Sequence, residues 1–248
     1  MRWWSFAVLF LTAASVGAAA PSPDYARETR WADEILPSLM VGAPVYLATP
    51  GRAKVLALLT PAVGTEKARV ILVHGLGVHP DFGMIGALRG LLADAGYTTL
   101  SVQMPVLPAD APRDDYATVL PDAAERLDAA VAFLRGRGPG KVIVVSHSMG
   151  ATMTDAWRGL AQPAIDGWVP VGMLVPFSAP PRMPVLDVIA EHDFRQVLDA
   201  APARKARLPA DRCSAQATIA GADHYFGRYE QPLAVAIEAF LGRMAKGC

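Results

Sequence analysis

The sequence of 248 residues predicts an α/β fold, in which a mostly parallel β-sheet is covered by helices on both faces. The first observation is a pair of uninterrupted apolar runs, at residues 70–73 and 142–145, because strands buried on both faces lack polar alternation. The second is that apolar residues recur at helical spacing between such runs, in residues 82–92, 127–134 and 233–241. Strands that alternate with helices are typical of a parallel sheet.

Each strand of this sheet has its own signal. The residues after Pro44 alternate in character, as in an antiparallel entry strand, whereas the later runs are apolar throughout. Gly96 and Gly136 stand where the intervening helices should end. Eight strands are predicted, near residues 44–49, 54–60, 69–73, 98–103, 142–147, 169–176, 185–190 and 214–220.

The length and charge of the chain exclude some classes of function. A chain of this size suits one core, so residues 21–248 are predicted to form a single domain. The 23 lysines and arginines are balanced by 23 acidic residues, and the longest basic cluster is short, at residues 204–207. This balance argues against a nucleic-acid groove and against binding to an anionic membrane surface. We therefore expect a small-molecule substrate and no nucleic-acid partner.

The N-terminus has the composition of an export signal. A short positive start precedes an almost wholly apolar stretch at residues 3–16, and small residues follow it. We predict a signal peptide over residues 1–20, with Ala18 or Ala19 as the last residue removed because Pro21 disfavours later cleavage. The alternative is a retained membrane anchor, because the apolar stretch approaches the length of about 20 residues that spans a bilayer. Cleavage predicts a periplasmic or secreted protein without stable membrane insertion.

The sequence contains two cysteines, Cys213 and Cys248. In a cytosolic protein they would be two free thiols, but an even pair in an exported chain predicts a disulfide. The bond would close a loop of about 35 residues that contains His224.

A sharp turn from strand to helix is predicted at residues 146–150, with the sequence Ser-His-Ser-Met-Gly. Such a turn holds the hydroxyl of its central serine, Ser148, clear of the neighbouring backbone. The residues two before and two after that serine must be small, because strand and helix pass close together there. Gly150 meets this requirement fully and Ser146 nearly so. Ser148 is therefore the candidate nucleophile.

Two further segments stand where a nucleophilic serine needs them. A buried strand runs into His-Gly-Leu-Gly at residues 74–77, and a later strand ends at Asp223 and His224. The order of oxyanion loop, serine, acid and histidine resembles that of the α/β-hydrolases. Residues 74–105 are also similar to a bacterial family of exported α/β-hydrolase-like proteins.

This resemblance implies the α/β-hydrolase fold over residues 40–245, with about eight strands. Many members of the superfamily carry a lid after the sixth strand. Here residues 178–184 alone separate the predicted sixth and seventh strands, so we expect no lid at that place.

The general base of an α/β-hydrolase follows the last strand, which designates His224 among the five histidines. His74 belongs to the oxyanion loop. His147 flanks the serine and is expected to point away from the line of attack. His79 and His192 are expected in loops near the strand ends, at the surface or in the wall of a pocket.

The third catalytic residue should be a carboxylate that orients the imidazole and stabilises its cation. Asp193 follows the seventh strand in a turn that resembles the G-x-x-D pattern of the superfamily, with Ala190 in place of glycine. Glu191 is a near alternative. Asp223 is a remote one, because an immediate neighbour rarely reaches the inner nitrogen of its own histidine. We expect Asp193 to be the acid.

The negative charge of the transition state needs hydrogen-bond donors. The resemblance assigns this role to the backbone amides of Met149 and Leu76. The longest irregular stretch, residues 106–121, is the candidate wall of the substrate site, with a merely solvated loop as the alternative.

These features predict an exported serine hydrolase that forms an acyl-enzyme on Ser148 and needs no metal or organic cofactor. Carboxylic esters, including acyl groups of the cell envelope, are the expected substrates, because their leaving groups need less assistance than those of amides. Two alternatives stay open. One is a catalytically silent scaffold that binds a partner in the envelope. The other is an acyltransferase whose acceptor is not water.

Overall fold

A computed structural model of the protein describes residues 21–160 and 164–248, and its centre is one eight-stranded sheet. The predicted signal peptide, residues 1–20, lies outside the described residues. The strands are β1 (Ala43–Leu47), β2 (Val55–Thr60), β3 (Ala68–Val73), β4 (Tyr97–Val102), β5 (Val142–His147), β6 (Gly167–Val171), β7 (Leu186–His192) and β8 (Ala215–Asp223). Each strand overlaps the segment in which the sequence predicted it.

The sheet has the strand order β1-β2-β4-β3-β5-β6-β7-β8. Strand β2 pairs antiparallel with both β1 and β4, and all other neighbours run parallel. This order confirms the predicted α/β-hydrolase fold. Because parallel strands end at one edge, the loops that follow β3, β5, β7 and β8 come together there.

Helices cover the sheet, and none in the described ranges is long and apolar enough to cross a membrane. The α-helices are α1 (Tyr25–Ile35), α2 (Gly83–Asp94), α3 (Leu120–Arg135), α4 (Met149–Leu160), α5 (Arg195–Lys205) and α6 (Glu230–Lys246). Two 3₁₀ helices occupy Leu36–Ser38 and Arg113–Val119.

The central strands separate two hydrophobic cores. Along β3, Ile71 and Val73 face the core that also contains residues of α3 and α4. Val70 and Leu72 face the opposite core, which contains residues of α2 and α6. This double burial is the physical reason for the uninterrupted apolar runs in the sequence.

Strand β6 is shorter than the sequence predicted. It ends at Val171 rather than near residue 176, because Gly172 adopts a φ of +59° and leaves the strand. The link to β7 therefore spans residues 172–185 rather than the predicted 178–184. All residues of this link are described and none is helical, so the predicted absence of a lid after strand six is confirmed.

Helix α1 is an element that the sequence analysis did not predict, because it is mostly polar and its apolar contacts lie near its C-terminal end. Ile35 packs against a small cluster that includes Leu58 of β2. The buried carboxylate of Glu28 forms ion pairs with Arg52 at 3.0 Å and with Arg126 at 3.1 Å. Burial raises the pKa of Glu28, and the two cations oppose that rise. These pairs hold α1 against the segment before β2 and against α3.

Cys213 and Cys248 form the predicted disulfide, with their Cα atoms 5.5 Å apart. The bond joins the end of the chain after α6 to the turn before β8. Asp211 supports that turn by accepting hydrogen bonds from the N–H groups of Cys213 at 2.7 Å and Ser214 at 2.6 Å. Asp211 and the two sulfurs lie close enough to hold a metal ion, but bonded sulfurs offer no thiolate ligand.

Opening this disulfide should lower the free energy of unfolding while the fold persists. The bond joins residues 35 positions apart, and the chain-entropy treatment of such a loop gives about 3 to 4 kcal/mol. Reductant should therefore lower the Tm of the wild-type protein. It should leave unchanged the Tm of a variant that carries both Cys213→Ala and Cys248→Ala. Equal Tm values for the wild type with and without reductant, once intact mass shows that the bond is open, would contradict this.

Candidate active site

Ser148 occupies the turn between β5 and α4, at the edge of the sheet where the parallel strands end. Its φ of +54° lies in the left-handed region, which residues other than glycine rarely adopt. The backbone is held there by a hydrogen bond from its N–H to the carbonyl of Val171, at 2.9 Å. Such strain is typical of a serine that is presented for chemistry.

The small residues around Ser148 have separate structural reasons. A Cβ atom at Gly150 would lie 2.3 Å from the carbonyl oxygen of His74, so a side chain there would push α4 away from β3. Ser146 is fully buried, and its Oγ accepts a hydrogen bond from Nε1 of Trp168 at 2.9 Å. Close packing is therefore the reason that both positions hold small residues.

The structure brings the three predicted catalytic side chains together. Nε2 of His224 lies 3.0 Å from Oγ of Ser148, and its Nδ1 lies 2.5 Å from Oδ1 of Asp193. All three residues are buried. With Nδ1–H donating to the carboxylate, Nε2 is left to accept the proton of the serine. This geometry suits the activation of Ser148 as a nucleophile.

Asp193 is fixed by the backbone around it. Its Oδ1 accepts a hydrogen bond from the N–H of Phe194 at 2.8 Å, and its Oδ2 accepts one from Ala190 at 3.2 Å. The alternative acid, Glu191, is exposed and accepts a hydrogen bond from the N–H of Gly221 at 2.7 Å. The Asp223 carboxylate caps the turn at Tyr225, at 3.0 Å. The turn after β7 thus directs Asp193, and not these two residues, toward His224.

His74 is a structural group at the end of β3. Its Nε2 accepts the N–H of Met104 at 2.9 Å, and its Nδ1 donates to the carbonyl of Gly75 at 2.9 Å. Burial lowers the pKa of His74 to about 3, so the ring is neutral near pH 7. A neutral ring is also what these two contacts require, because one nitrogen must accept and the other donate.

The side chain of His147 borders the cavity beside Ser148. Its Nε2 donates to the backbone carbonyl of His224 at 2.9 Å, and the two rings are 4.9 Å apart. Burial lowers the pKa of His147 to about 4. The hydrogen bond places the His147 ring against the loop that contains His224. Of the other histidines, His79 packs against Trp31, and His192 is exposed.

The loop after β3 passes directly beside the serine. A Cβ at Gly75 would lie 3.1 Å from Nδ1 of His147 and 3.3 Å from Cβ of Ser148. Gly77 adopts a φ of +65°, a backbone conformation that favours glycine. Leu76, between the two glycines, borders the cavity together with Met149. The amides of Leu76 and Met149 remain the predicted donors to an oxyanion.

Arg27 of α1 connects this loop to a second segment beside the site. Its Nη2 donates to the carbonyl of Gly77 at 3.0 Å, and its Nη1 donates to that of Leu107 at 2.9 Å. The guanidinium also lies over the ring of Trp31, 4.6 Å from its centroid. A planar group with several fixed donors can hold two carbonyls in a defined relation. Helix α1 therefore restrains both the oxyanion loop and the irregular stretch that begins at residue 106.

A cavity of about 190 Å³ lies over Ser148 and His224. A second cleft, of about 320 Å³, shares Arg113, Met149 and Leu174 with it. Tyr116 and Leu120 also line the cleft, so the stretch 106–121, the predicted wall of the substrate site, contributes to its lining. The remaining lining of the first cavity is mainly apolar and includes Leu76, Val78, Phe82, Phe194 and Tyr225.

Phe194 stacks on the imidazole of His224, with ring centroids 4.0 Å apart and an interplanar angle of 22°. Sequence reasoning missed Phe194, Arg27 and Arg113. Phe194 directly follows the predicted acid, and this position is the one signal that could have identified it. Arg27 and Arg113 have no such signal, because their relation to the site depends on the path of the chain.

The comparisons with known proteins agree with the fold. A sequence model of the alpha/beta hydrolase family matches residues 70–184. No curated protein shows significant similarity to the chain. A serine hydrolase homologue from Coxiella burnetii has 15% identity and a TM-score of 0.63, over 83% of this chain and 98% of that one.

Two further solved structures share the fold. A serine hydrolase without a lid from Xanthomonas campestris has 16% identity and a TM-score of 0.65, over 83% of this chain and 95% of its own. Est1E from Butyrivibrio proteoclasticus has 15% identity and a TM-score of 0.63, over 82% and 99%. These structures and the strand order show that the chain has the α/β-hydrolase fold, and residues 70–184 are similar to the alpha/beta hydrolase family.

The contacts of Asp193 predict that it controls the reactivity of Ser148. Asp193→Asn should slow labelling of Ser148 by a fluorophosphonate by orders of magnitude, because an amide neither stabilises the imidazolium nor enforces the same tautomer. Glu191→Gln is the matched control and should label at nearly the wild-type rate. If Glu191→Gln is the slower variant, Glu191 is the acid.

The contacts of Arg27 predict that α1 affects the same reaction from a distance. Arg27→Gln should slow labelling about tenfold or more, since small displacements of positioning groups have effects of this size. Added guanidinium at millimolar concentration should restore part of the rate. Arg30→Gln, an exposed change on the same helix, is the control. A wild-type rate in Arg27→Gln would show that the loop keeps its position without this contact.

Proposed function

We propose that this protein is an exported serine hydrolase that cleaves carboxylic esters through an acyl-enzyme on Ser148. The observation that carries the proposal is the chain of contacts from Ser148 Oγ to His224 at 3.0 Å and from His224 to Asp193 at 2.5 Å. Est1E and an esterase from Thermogutta terrifontis share the fold, which supports an ester as the substrate. The conclusion for this chain depends on its own site residues.

In the first half of the reaction, Nε2 of His224 takes the proton of Ser148 as Oγ attacks the ester carbonyl. The carbonyl oxygen becomes negative, and the N–H groups of Met149 and Leu76 donate to it. The carbon–oxygen bond to the leaving group then breaks. His224 returns its proton to the departing alcohol, and the acyl group stays on Ser148.

In the second half, a water molecule takes the place of the alcohol. His224 accepts a proton from the water molecule as the water oxygen attacks the carbonyl carbon of the acyl-enzyme. Collapse of the second tetrahedral intermediate releases the carboxylic acid and returns the proton to Ser148. Asp193 stabilises the imidazolium in both halves through its contact with Nδ1.

Export is supported by two independent features. Residues 1–20 have the pattern of a signal peptide. The disulfide between Cys213 and Cys248 suits an oxidising compartment such as the periplasm or the exterior of the cell. The substrate would accordingly be a small ester or an acyl group of the cell envelope.

The proposal predicts covalent labelling of Ser148 by a fluorophosphonate probe, located by peptide mass spectrometry. Ser148→Ala should abolish both labelling and ester turnover while the protein stays folded, because the hydroxyl contributes chemistry and little packing. Ser146→Ala is the matched control, since it removes a nearby hydroxyl that binds Trp168 and should leave Ser148 reactive. Labelling of Ser148→Ala at the full rate would reject the assignment.

A screen of esters with different acyl chain lengths, with Ser148→Ala as the blank, then tests the reaction itself. Labelling without turnover of any ester would favour the silent scaffold. Transfer of the acyl group to an added alcohol in preference to water would favour an acyltransferase. Release of free acid in proportion to alcohol supports the hydrolase.

A further inference from the structure

A single strongly charged side chain borders the cavity around Ser148. Among the described residues that line this cavity, Arg113 is the only lysine, arginine, aspartate or glutamate. Arg113 begins the 3₁₀ helix Arg113–Val119 and is exposed. Within residues 21–160 and 164–248, its guanidinium has no hydrogen bond or ion pair. The cation is therefore available to a ligand.

The surroundings of Arg113 strengthen its attraction for an anion. The lining of the cavity is otherwise mainly apolar, with Leu76, Phe82, Phe194 and Tyr225 among the exposed hydrophobic residues of the protein. Charges interact more strongly beside such walls than in open water. A guanidinium also presents paired donors that match the two oxygens of a carboxylate.

The reaction indicates which cleft would hold the alcohol portion of the ester and which would hold the acyl portion. His224 must return its proton to the leaving oxygen, so the alcohol portion has to lie on the side of its ring. Phe194 and Tyr225 flank that ring, with centroids 4.0 and 5.6 Å away. The cleft of about 320 Å³ lacks His224 and begins at Met149, the residue after the nucleophile. The acyl portion would therefore extend into this second cleft.

Arg113 lies where the two clefts meet, together with Met149 and Leu174. Beyond this junction, Tyr116 and Leu120 supply apolar walls for the methylene groups of an acyl chain. Asp114 lines the larger cleft but not the cavity of Ser148, whereas Arg113 lines both.

We propose that Arg113 recognises a carboxylate on the acyl portion of the substrate, so that the preferred substrates are monoesters of short dicarboxylic acids. This inference rests on the proposed function of Ser148. It adds a specificity-determining residue in the wall that residues 106–121 provide.

The test compares matched pairs of 4-methylumbelliferyl esters. In each pair, made from dicarboxylic acids of five to eight carbons, the far carboxyl is either free or a methyl ester. The measured quantity is the ratio of kcat/KM for the anionic ester to that for the neutral one. Arg113→Gln should lower this ratio on the order of fivefold to tenfold, and Arg113→Glu should lower it further. Arg113→Lys should keep part of the wild-type ratio, because the charge remains but the paired donors are lost.

Two controls separate charge at the site from charge in general. Arg137→Gln removes an exposed arginine before β5, at the opposite edge of the sheet, and should leave the ratio unchanged. Sodium chloride at high concentration should lower the ratio of the wild type but not that of Arg113→Gln. A second set of esters carries the carboxylate on the leaving phenol, and its ratio should respond less to Arg113→Gln.

An unchanged ratio in Arg113→Gln, with normal labelling of Ser148, would overturn this inference and leave the proposed function intact. A response confined to the esters with an anionic phenol would overturn the assignment of the acyl group to the second cleft. If the wild type neither reacts with the fluorophosphonate nor hydrolyses any ester, the proposed function itself fails.

Discussion

The close approach of α4 to the end of β3 is the constraint on which the site depends. Gly150 lies so near the carbonyl of His74 that no Cβ atom fits between them. This contact lets the start of α4 lie against the end of β3, directly after the turn in which Ser148 takes a φ of +54°. The same approach places the loop at Gly75 beside the serine. The predicted nucleophile and the loop of the predicted oxyanion donor Leu76 thus both lie beside this packing contact, and a larger residue at position 150 would displace both.

His74 and His147, which lie near this contact, are buried and uncharged. The pKa values of His74 and His147 are lowered to about 3 and about 4, so both rings are neutral over the pH range in which most proteins work. Each ring uses its nitrogens to bind backbone, His74 at Met104 and His147 at the carbonyl of His224. Three buried histidines therefore lie close together without the repulsion that neighbouring imidazolium ions would cause. The two supporting rings also help to fix the loop that carries His224.

Two distant parts of the chain restrain the loops of the site. Arg27 of α1 binds the carbonyls of Gly77 and Leu107, so this helix bridges the predicted oxyanion loop and the irregular stretch that begins at residue 106. At the other end, the disulfide closes the segment that contains β8, His224 and α6. The sheet fixes these loops only where they leave the ends of the strands. Restraints of this kind therefore help the loops to keep a defined geometry.

The sequence alone determined the strands, because each has a local signal, and the pairing of the cysteines, because only two are present. It also singled out Ser148 and His224 as the predicted nucleophile and base. Apolar runs mark strands covered on both faces, and the small residues around Ser148 mark a tight turn. It also favoured Asp193, but the choice against Glu191 required the turn after β7, which points one carboxylate at His224 and the other at Gly221. Only the tertiary structure ended β6 at Val171 and brought Arg27 and Arg113 to the site. Those contacts join residues far apart in the chain, and the physical reason is that packing of the whole sheet, rather than any local pattern, decides which distant side chains meet at its edge.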